Sequence, residues 1–311
     1  MEYLDVSLEK LNIQDELFLT IGNFDGVHKG HNDILNNLRS KAKSSNVKTA
    51  ILSFNPHPKV YFNNEKNFLI NSREKKISIL QKLKIDYLID LKFDQNLTKM
   101  SFQEFEQSIL LEKLNIKKIF LGKDFRYGNQ RKGNLDTLKS LCDSSNINLE
   151  EIELLKDRNS EEKISSSKIR NLLQNGKIEN ANNLLIEKFS ISGRVIEGDK
   201  RGRTIGIPTA NLEYPNDIIK IPYGVYSAQI KILDQIHHGI VNFGMRPTFN
   251  KQTSVLEAYI FDFEEDIYGS DIEVVFFSKI RDEQKFNGIK ELLKQITLDI
   301  TVAKKFLNYG N

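Results

Sequence analysis

Tryptophan is absent from this 311-residue chain, and cysteine occurs once, as Cys142 in KSLCDSS. A single cysteine forms no internal disulfide. That excludes the disulfide-stapled secreted scaffolds and makes a reducing cytoplasm the expected setting. Lone cysteines are mostly buried, so Cys142 is read as packing rather than as a nucleophile. Only five histidines are present, with no close-spaced cysteines beside them, so a structural zinc site is a weak reading. No apolar run approaches the roughly 18 residues of a membrane helix. The opening residues, MEYLDVSLEKL, are acidic and broken by charges, unlike a secretory signal. Repeats and low-complexity tracts are missing too. An excess of one charge is also lacking: 45 Lys and Arg against 42 Asp and Glu leave a net +3. That is too little to specify nucleic acid, yet it suits small anions such as nucleotides.

What is present falls into two rhythms. In the first half, short apolar runs alternate with helical patterns: ELFLTIG (Glu16 to Gly22), KTAILSF (Lys48 to Phe54), DYLIDLKF and KKIFLG read as buried strands. Between them, Ile34, Leu35, Leu38 and Ala42 recur at helical spacing, as do Ile79, Leu80 and Leu83 in SREKKISILQKLK. SFQEFEQSILLEKL reads as a further helix. Alternating strand and helix predict a parallel sheet, with ligands beyond the carboxyl ends of its strands, just after Gly22, Phe54 and Gly122. Near residue 187 the rhythm changes. GVYSAQIKIL, HHGIVNFG, SVLEAYIFDF and SDIEVVFFSKI are β-branched and aromatic and are separated by close turns, which predicts an antiparallel sheet or barrel. His237 and His238 are read as hairpin-turn residues. A final helical stretch offers Ile289, Leu292, Leu293, Ile296 and Ile300 to that sheet. These readings give an α/β domain over 1–186 and a β domain over 187–311, with the junction within 176–188.

The segment from Thr20 to His31, TIGNFDGVHKGH, carries the chemistry of the first half. A buried strand runs out at Gly22, a glycine-rich turn follows, and a helix begins near His28 to His31. Helix N-termini offer free N–H groups and partial positive charge, which hold phosphate. Gly26 and Gly30 allow close backbone approach. His28 and His31 are three apart, so both imidazoles can face one side and stabilise charge on a leaving pyrophosphate. Placed between strand and amphipathic helix, HxGH is read as functional rather than as a surface turn.

This segment resembles the nucleotidylyltransferases with an HxGH signature. Its longer form, GxFDGVHxGH, is similar to that of the bacterial bifunctional riboflavin kinase and FAD synthetase family. SFNPHP (Ser53 to Pro58), NSREKKISILQKLKIDYLIDLKFD, GKDFRYGNQRKGN (Gly122 to Asn134) and ISSSKIRNLLQNG (Ile164 to Gly176) extend the resemblance in order along nearly the whole chain. It implies a Rossmann-like adenylyltransferase domain followed by a β-barrel riboflavin kinase domain with a terminal helix. It places ATP phosphates at His28 and His31, with Gly22, Phe24 and Gly30 around them. Asp124 would stand at the nucleotide and flavin end of a strand, and Ser166, Ser167 and Arg170 would close over the phosphates. Serine hydroxyls at a helix start and a planar guanidinium suit that role. FMN itself supplies the nucleophile, so positioning and charge neutralisation would carry the reaction. His57, between Pro56 and Pro58, is read as a loop histidine or a site residue. Ser167 stands where the family often has threonine and keeps the hydroxyl. The junction LLIEKFSISG lacks glycine, arginine and proline often found there, which concerns domain packing.

The second half carries GRVIEGDKRGRTIGIPTANL (Gly193 to Leu212). Asp199 and Lys200 stand where a P-loop needs Lys and Ser or Thr, so a Walker A reading is rejected. The glycine and basic density, Gly202 included, suits a flap over phosphates. Thr209 and Asn211, two apart, would face one way in an extended segment as a hard oxygen pair suited to Mg2+. Alone, PTAN would be a turn; GRxxGxPTAN resembles the riboflavin kinase signature, which implies that Thr209 and Asn211 hold the magnesium of ATP. The resemblance makes Glu257 the base for the ribityl hydroxyl. Period-two reading sets Val255, Glu257 and Tyr259 on one strand face. Arg281 and Glu283 in KIRDEQKF resemble flavin-side residues, against the alternative of an exposed charged turn. Asp262, Glu264, Glu265 and Asp266 read as a solvated acidic loop.

The expected partners are therefore riboflavin, FMN, FAD and ATP with Mg2+, neither nucleic acid nor membrane, and self-association that is at most transient. Three rival readings stay open at this point: an adenylyltransferase with an idle kinase half; another HxGH substrate such as pantetheine phosphate, nicotinate mononucleotide or glycerol phosphate; and a regulatory module that binds FMN or RNA without chemistry.

Overall fold

The alternating apolar runs of the first half become a six-stranded sheet in which every pairing is parallel. The computed structural model describes residues 1–153, 155–156, 162–198, 202, 205–248 and 251–309. Packing divides the chain into two units, Met1–Glu65 with Arg73–Ser166, and Lys66–Ser72 with Ser167–Asn311. Strands β1 (Glu2–Val6), β2 (Ile13–Ile21), β3 (Lys48–Asn55), β4 (Tyr87–Lys92), β5 (Leu114–Gly122) and β6 (Asn148–Ile152) stand in the order β1-β4-β3-β2-β5-β6. Helix α1 (Lys29–Ser45) follows β2, while α2 (Pro58–Asn63) and α3 (Arg73–Lys82) follow β3. After β4 come α4 (Gln95–Lys99) and α5 (Phe102–Phe105); α6 (Leu135–Ser144) follows β5.

The inner strands β2 to β5 read as near-continuous apolar runs because both faces are covered. Leu17, Leu19, Leu52, Ile89 and Leu121 pack with Phe105, Leu110 and Leu138 on one side. On the other, Phe18 and Phe120 meet Ile34, Leu38 and Ala42, the stripe of α1. The chain steps from β2 to β3 and β4 on one side, then resumes at β5 on the other. The switch point thus lies between the carboxyl ends of β2 and β5, where such sheets open a ligand crevice. The expected helix in SFQEFEQSILLEKL departs from regularity. A capping box between Ser101 and Glu104 starts α5, and a π-helical turn, Glu106–Leu111, continues it and turns Glu106, Ile109 and Leu110 inward.

In the second unit, α7 (Ser166–Gln174, all but its first residue) and α8 (Ile178–Asn182) precede β7 (Ser190–Arg194), β8 (Ala210–Glu213), β9 (Gly224–Ile232), β10 (Gln235–Thr248), β11 (Lys251–Ile260), β12 (Asp271–Arg281) and α9 (Ile289–Phe306). Their order is β7-β12-β9-β10-β11-β8, with every pairing antiparallel. The two edges nearly close into a barrel where the Ile196 N–H donates to the Asn211 carbonyl at 2.9 Å. Tyr226, Ala228, Val241, Phe243, Leu256, Ala258 and Phe276 are fully buried and fill the interior. The outer face packs on α9 through Val225, Ile240, Tyr259, Ile296, Ile300, Ala303 and Leu307.

Two expectations change here. Ile289 is 62% exposed, so the helix presents the later stripe from Ile296 onward to the sheet. His237 and His238 lie within β10, against Phe263 and Tyr309, and the turn is instead made at Leu233, whose φ is 52°. Asp199 and Lys200 lie outside the described residues. Among the described residues no helix is long and apolar enough to cross a membrane.

Candidate active sites

At the end of β2 the chain turns sharply: Phe24, Gly26 and Val27 all have positive φ. The turn delivers His28 to the N-cap of α1. His28 Nδ1 accepts the His31 N–H at 3.2 Å, and His31 Nδ1 accepts the His28 N–H at 3.4 Å. The two imidazoles thus form a reciprocal capping box, with rings stacked 3.6 Å apart. A neutral imidazole whose Nδ1 accepts a bond carries its proton on Nε2. The pair therefore presents two Nε2–H donors side by side at a helix N-terminus. Burial, then the neighbouring His28 and Lys163, push His31 well below the usual imidazole range, which keeps it neutral. The Phe24 ring packs 4.6 Å from that of His31. Gly30 explains the spacing: a Cβ there would stand 3.2 Å from His28 Cε1 and Nδ1.

The motif after β5 folds around Tyr127. Tyr127 and Gly133 exchange backbone hydrogen bonds, and a Cβ on Gly133 would lie 2.8 Å from the Tyr127 ring. Asp124 is exposed and paired with Lys163. Ser166 Oγ donates to the Asp25 carbonyl at 2.8 Å, which ties the serine run to the turn after β2. Ser167 and Arg170 pack in the other unit. There the Arg170 guanidinium stacks 3.8 Å from the Phe68 ring and Nε donates to the Phe68 carbonyl. His57 caps α2 by accepting the Lys59 N–H. Cys142 is buried, which pushes its thiol up to about 11 and leaves it a packing residue.

Sequence reasoning missed a continuous aromatic row on this end of the sheet. Phe125 stacks on Tyr127, Tyr127 meets Phe105, Phe105 meets Phe54, and Phe54 meets Phe93, with centroids 5.4 to 6.4 Å apart. Tyr61 and Phe62 pack edge-on against Phe93, and Phe62 is 65% exposed. The members come from a strand, two short helices and the loops beyond β4 and β5, so no periodic pattern announces them.

In the barrel, register brings distant residues into one row. Glu257 on β11 lies opposite Asn211 on β8 and opposite Asn242 on β10, so the three side chains share a face. Asn242 Nδ2 donates to Glu257 Oε2 at 3.4 Å. Asn211 is nine-tenths buried, and its Nδ2 donates to the Thr209 carbonyl. A Cβ on Gly198 would strike the Asn211 amide at 2.5 Å, so only glycine fits over it. Gly202 is equally confined: its carbonyl accepts the Ile205 and Ile207 N–H groups, and a Cβ would lie 2.2 Å from the Ile207 carbonyl. Thr209 lines a cavity of about 500 Å³ with Val195, Ala258, Ile260 and the acidic loop Glu264 to Asp266. Gly244 admits the Glu283 carboxylate beside Asn242. Arg281 pairs with buried Asp299 of α9 at 2.8 Å. Asp299 interrupts the apolar stripe between Ile296 and Ala303, the one sequence signal that could have marked it.

A parallel-sheet unit with a helix-capping histidine pair, followed by a barrel with a carboxylate between two amides, defines a two-module nucleotide-using enzyme. The chain matches the FAD synthetase family over residues 10–168 and the riboflavin kinase family over residues 185–307. It is 39% identical over 306 residues to the bifunctional riboflavin kinase/FMN adenylyltransferase of Buchnera aphidicola subsp. Schizaphis graminum, covering 97% of each chain. It is 36% identical to that of Bacillus subtilis (95% of this chain, 94% of the relative) and 34% identical to that of Escherichia coli K12 (94% and 93%). A crystal structure described as a macrolide-efflux protein from Streptococcus pneumoniae superposes with a TM-score of 0.88 at 27% identity, over 97% of this chain and 99% of the other. The chain belongs to the bifunctional riboflavin kinase/FMN adenylyltransferase family and is an enzyme with those two activities.

Proposed function

We propose that the histidine pair is the adenylyl-transfer centre and the Asn211–Glu257 row the kinase centre, with the functional division near residues 186 and 187. The observation that carries the first assignment is the pair of Nε2–H donors fixed at the N-terminus of α1, beside the sheet's switch point. Two neutral donors and free helix amides suit a triphosphate. An FMN phosphate oxygen attacks the α-phosphorus of ATP, the bond to the bridging oxygen breaks, and pyrophosphate leaves. Gly22, Phe24 and Gly30 shape the cradle. Asp124, Ser166, Ser167 and Arg170 are assigned nucleotide contacts on the strength of the family resemblance. The aromatic row, with exposed Phe62 at one end, suits a flat, largely apolar isoalloxazine ring.

In the barrel, Glu257 takes the proton of the ribityl 5′-hydroxyl while its oxygen attacks the γ-phosphorus and ADP departs. Asn242 holds one Glu257 oxygen and leaves the other for the base. Arg281 and Glu283 flank the flavin side, and Gly202 belongs to the turn over the phosphates. Asn211 fits a magnesium site: with its Nδ2 committed, Oδ1 is left for a hard cation, and Thr209 adds a hydroxyl. The ion would neutralise ATP phosphate charge. Cytoplasmic residence, small-molecule partners, no nucleic acid, and at most transient self-association complete the reading.

The test is one incubation of the pure protein with riboflavin, ATP and Mg2+, followed by chromatography. His31→Ala is expected to stop FAD formation while FMN accumulates. Glu257→Ala is expected to leave riboflavin unphosphorylated while added FMN is still adenylylated. Loss of both steps in either folded variant would overturn the two-centre reading.

A further inference from the structure

The aromatic row has an anchor that the reaction does not use. Glu106 sits in the π-helical turn after α5, only 7% exposed, and no cation pairs with it among the described residues. Its Oε1 meets the Tyr127 hydroxyl, and that hydroxyl stands 3.1 Å from Thr137 Oγ1. Thr137 Oγ1 donates to the Asn134 carbonyl at 2.9 Å and receives the Asn134 N–H at 2.9 Å.

The protons can be counted. Thr137 has one hydroxyl proton, within reach of both the Asn134 carbonyl and the Tyr127 oxygen, and that carbonyl also accepts the Leu138 N–H at 3.1 Å, so either hydroxyl can donate across the Tyr127–Thr137 contact. Tyr127 also has one. Given to Glu106, it leaves the Tyr127 oxygen to accept from Thr137. The network is satisfied in the other state too: with Glu106 protonated, Glu106 donates to Tyr127, Tyr127 to Thr137, and Thr137 to the Asn134 carbonyl. A buried carboxyl without a cation favours this neutral form. Burial does push its titration above the ordinary carboxylate range, with the Tyr127 bond opposing in part.

We infer that Glu106 is a positioning residue: its buried carboxyl fixes Tyr127 through the hydroxyl, and through Tyr127 the aromatic row against which FMN is held for adenylyl transfer. The row has little freedom at that point. The Tyr127 ring is stacked on Phe125, packed on Phe105 and roofed by Gly133. The hydroxyl adds a fixed point at the far edge of the ring. The inference rests on the assignment of this row to the flavin ring.

The experiment measures KM for FMN and kcat of FAD formation in the full-length protein, with riboflavin phosphorylation in the same preparation as an internal control. Tyr127→Phe and Glu106→Leu are expected to raise KM for FMN about three- to tenfold, the worth of one hydrogen bond, with kcat and the kinase rate little changed. Glu106→Gln, a neutral donor of the same shape, is expected to keep the wild-type KM. If Glu106→Gln raises KM as much as Glu106→Leu, or Tyr127→Phe leaves it unchanged, the inference is overturned. Should Glu106→Leu fail to fold, the Gln and Phe variants still decide. Phe62→Ala separates the two layers: a raised KM there with an unchanged one in Tyr127→Phe sinks the anchor alone, whereas an unchanged KM in Phe62→Ala sinks the flavin assignment and the anchor with it.

Discussion

A glycine between two histidines does more here than loosen the chain. Gly30 leaves room for the His28 ring to fold back onto the His31 N–H. A methyl group at 3.2 Å would force that ring aside by a few tenths of an ångström. Gly30→Ala is therefore expected to raise KM for ATP in FAD formation about tenfold or more while the far-ultraviolet circular dichroism stays unchanged, because small misplacements of positioning groups are costly. The pattern HxGH pointed to chemistry in the sequence. Its local physics was not, because imidazoles are unusual N-caps and only coordinates show which ring nitrogen is committed. The same holds for Asn242, which looks like any strand asparagine until register sets it beside Glu257.

Elements were easier to read than their exact faces. Strands β2 to β5 announced themselves as apolar runs and β9 to β12 by their β-branched and aromatic content, whereas the charged edge strands β1 and β6 and the short β8 did not. Helix α9 was legible as amphipathic, but the buried stripe begins at Ile296 and includes a charge. Asp299 accepts from Arg281 Nε at 3.0 Å and from Gln295 at 2.9 Å, joining α9 to the end of β12. Removing one partner leaves the other in a poorly solvated place. Asp299→Ala is expected to destabilise the C-terminal unit by about 3 kcal/mol in denaturant unfolding, and Asp299→Asn by less, since the amide oxygen still accepts.

At the scale of the molecule, the histidine pair links stability to pH. His31 in the folded protein titrates well below the ordinary value of 6.5. Between those two values the unfolded chain binds a proton that the folded chain does not. Its contribution is complete above about pH 6.5 and is lost as pH falls from there toward the folded-state value. Denaturant unfolding of wild type and His31→Gln from pH 7.5 to 5 checks this: wild type should lose stability relative to the variant as pH falls. Across pH 7 to 8, FAD formation should show no limb from His31, which stays neutral. The sequence by itself determined the two modules, most of their strands and the motifs to which we assign phosphate chemistry, because periodicity and turn residues are local properties of the chain. Tertiary structure alone decided the tautomers of His28 and His31, the Asn211–Glu257–Asn242 row, the Arg281–Asp299 pair and the aromatic row with its Glu106 anchor. The last three are made by residues from different elements, which only strand register and helix docking bring within bonding distance; the tautomers are set within one helix cap, by ring rotations that no sequence pattern specifies.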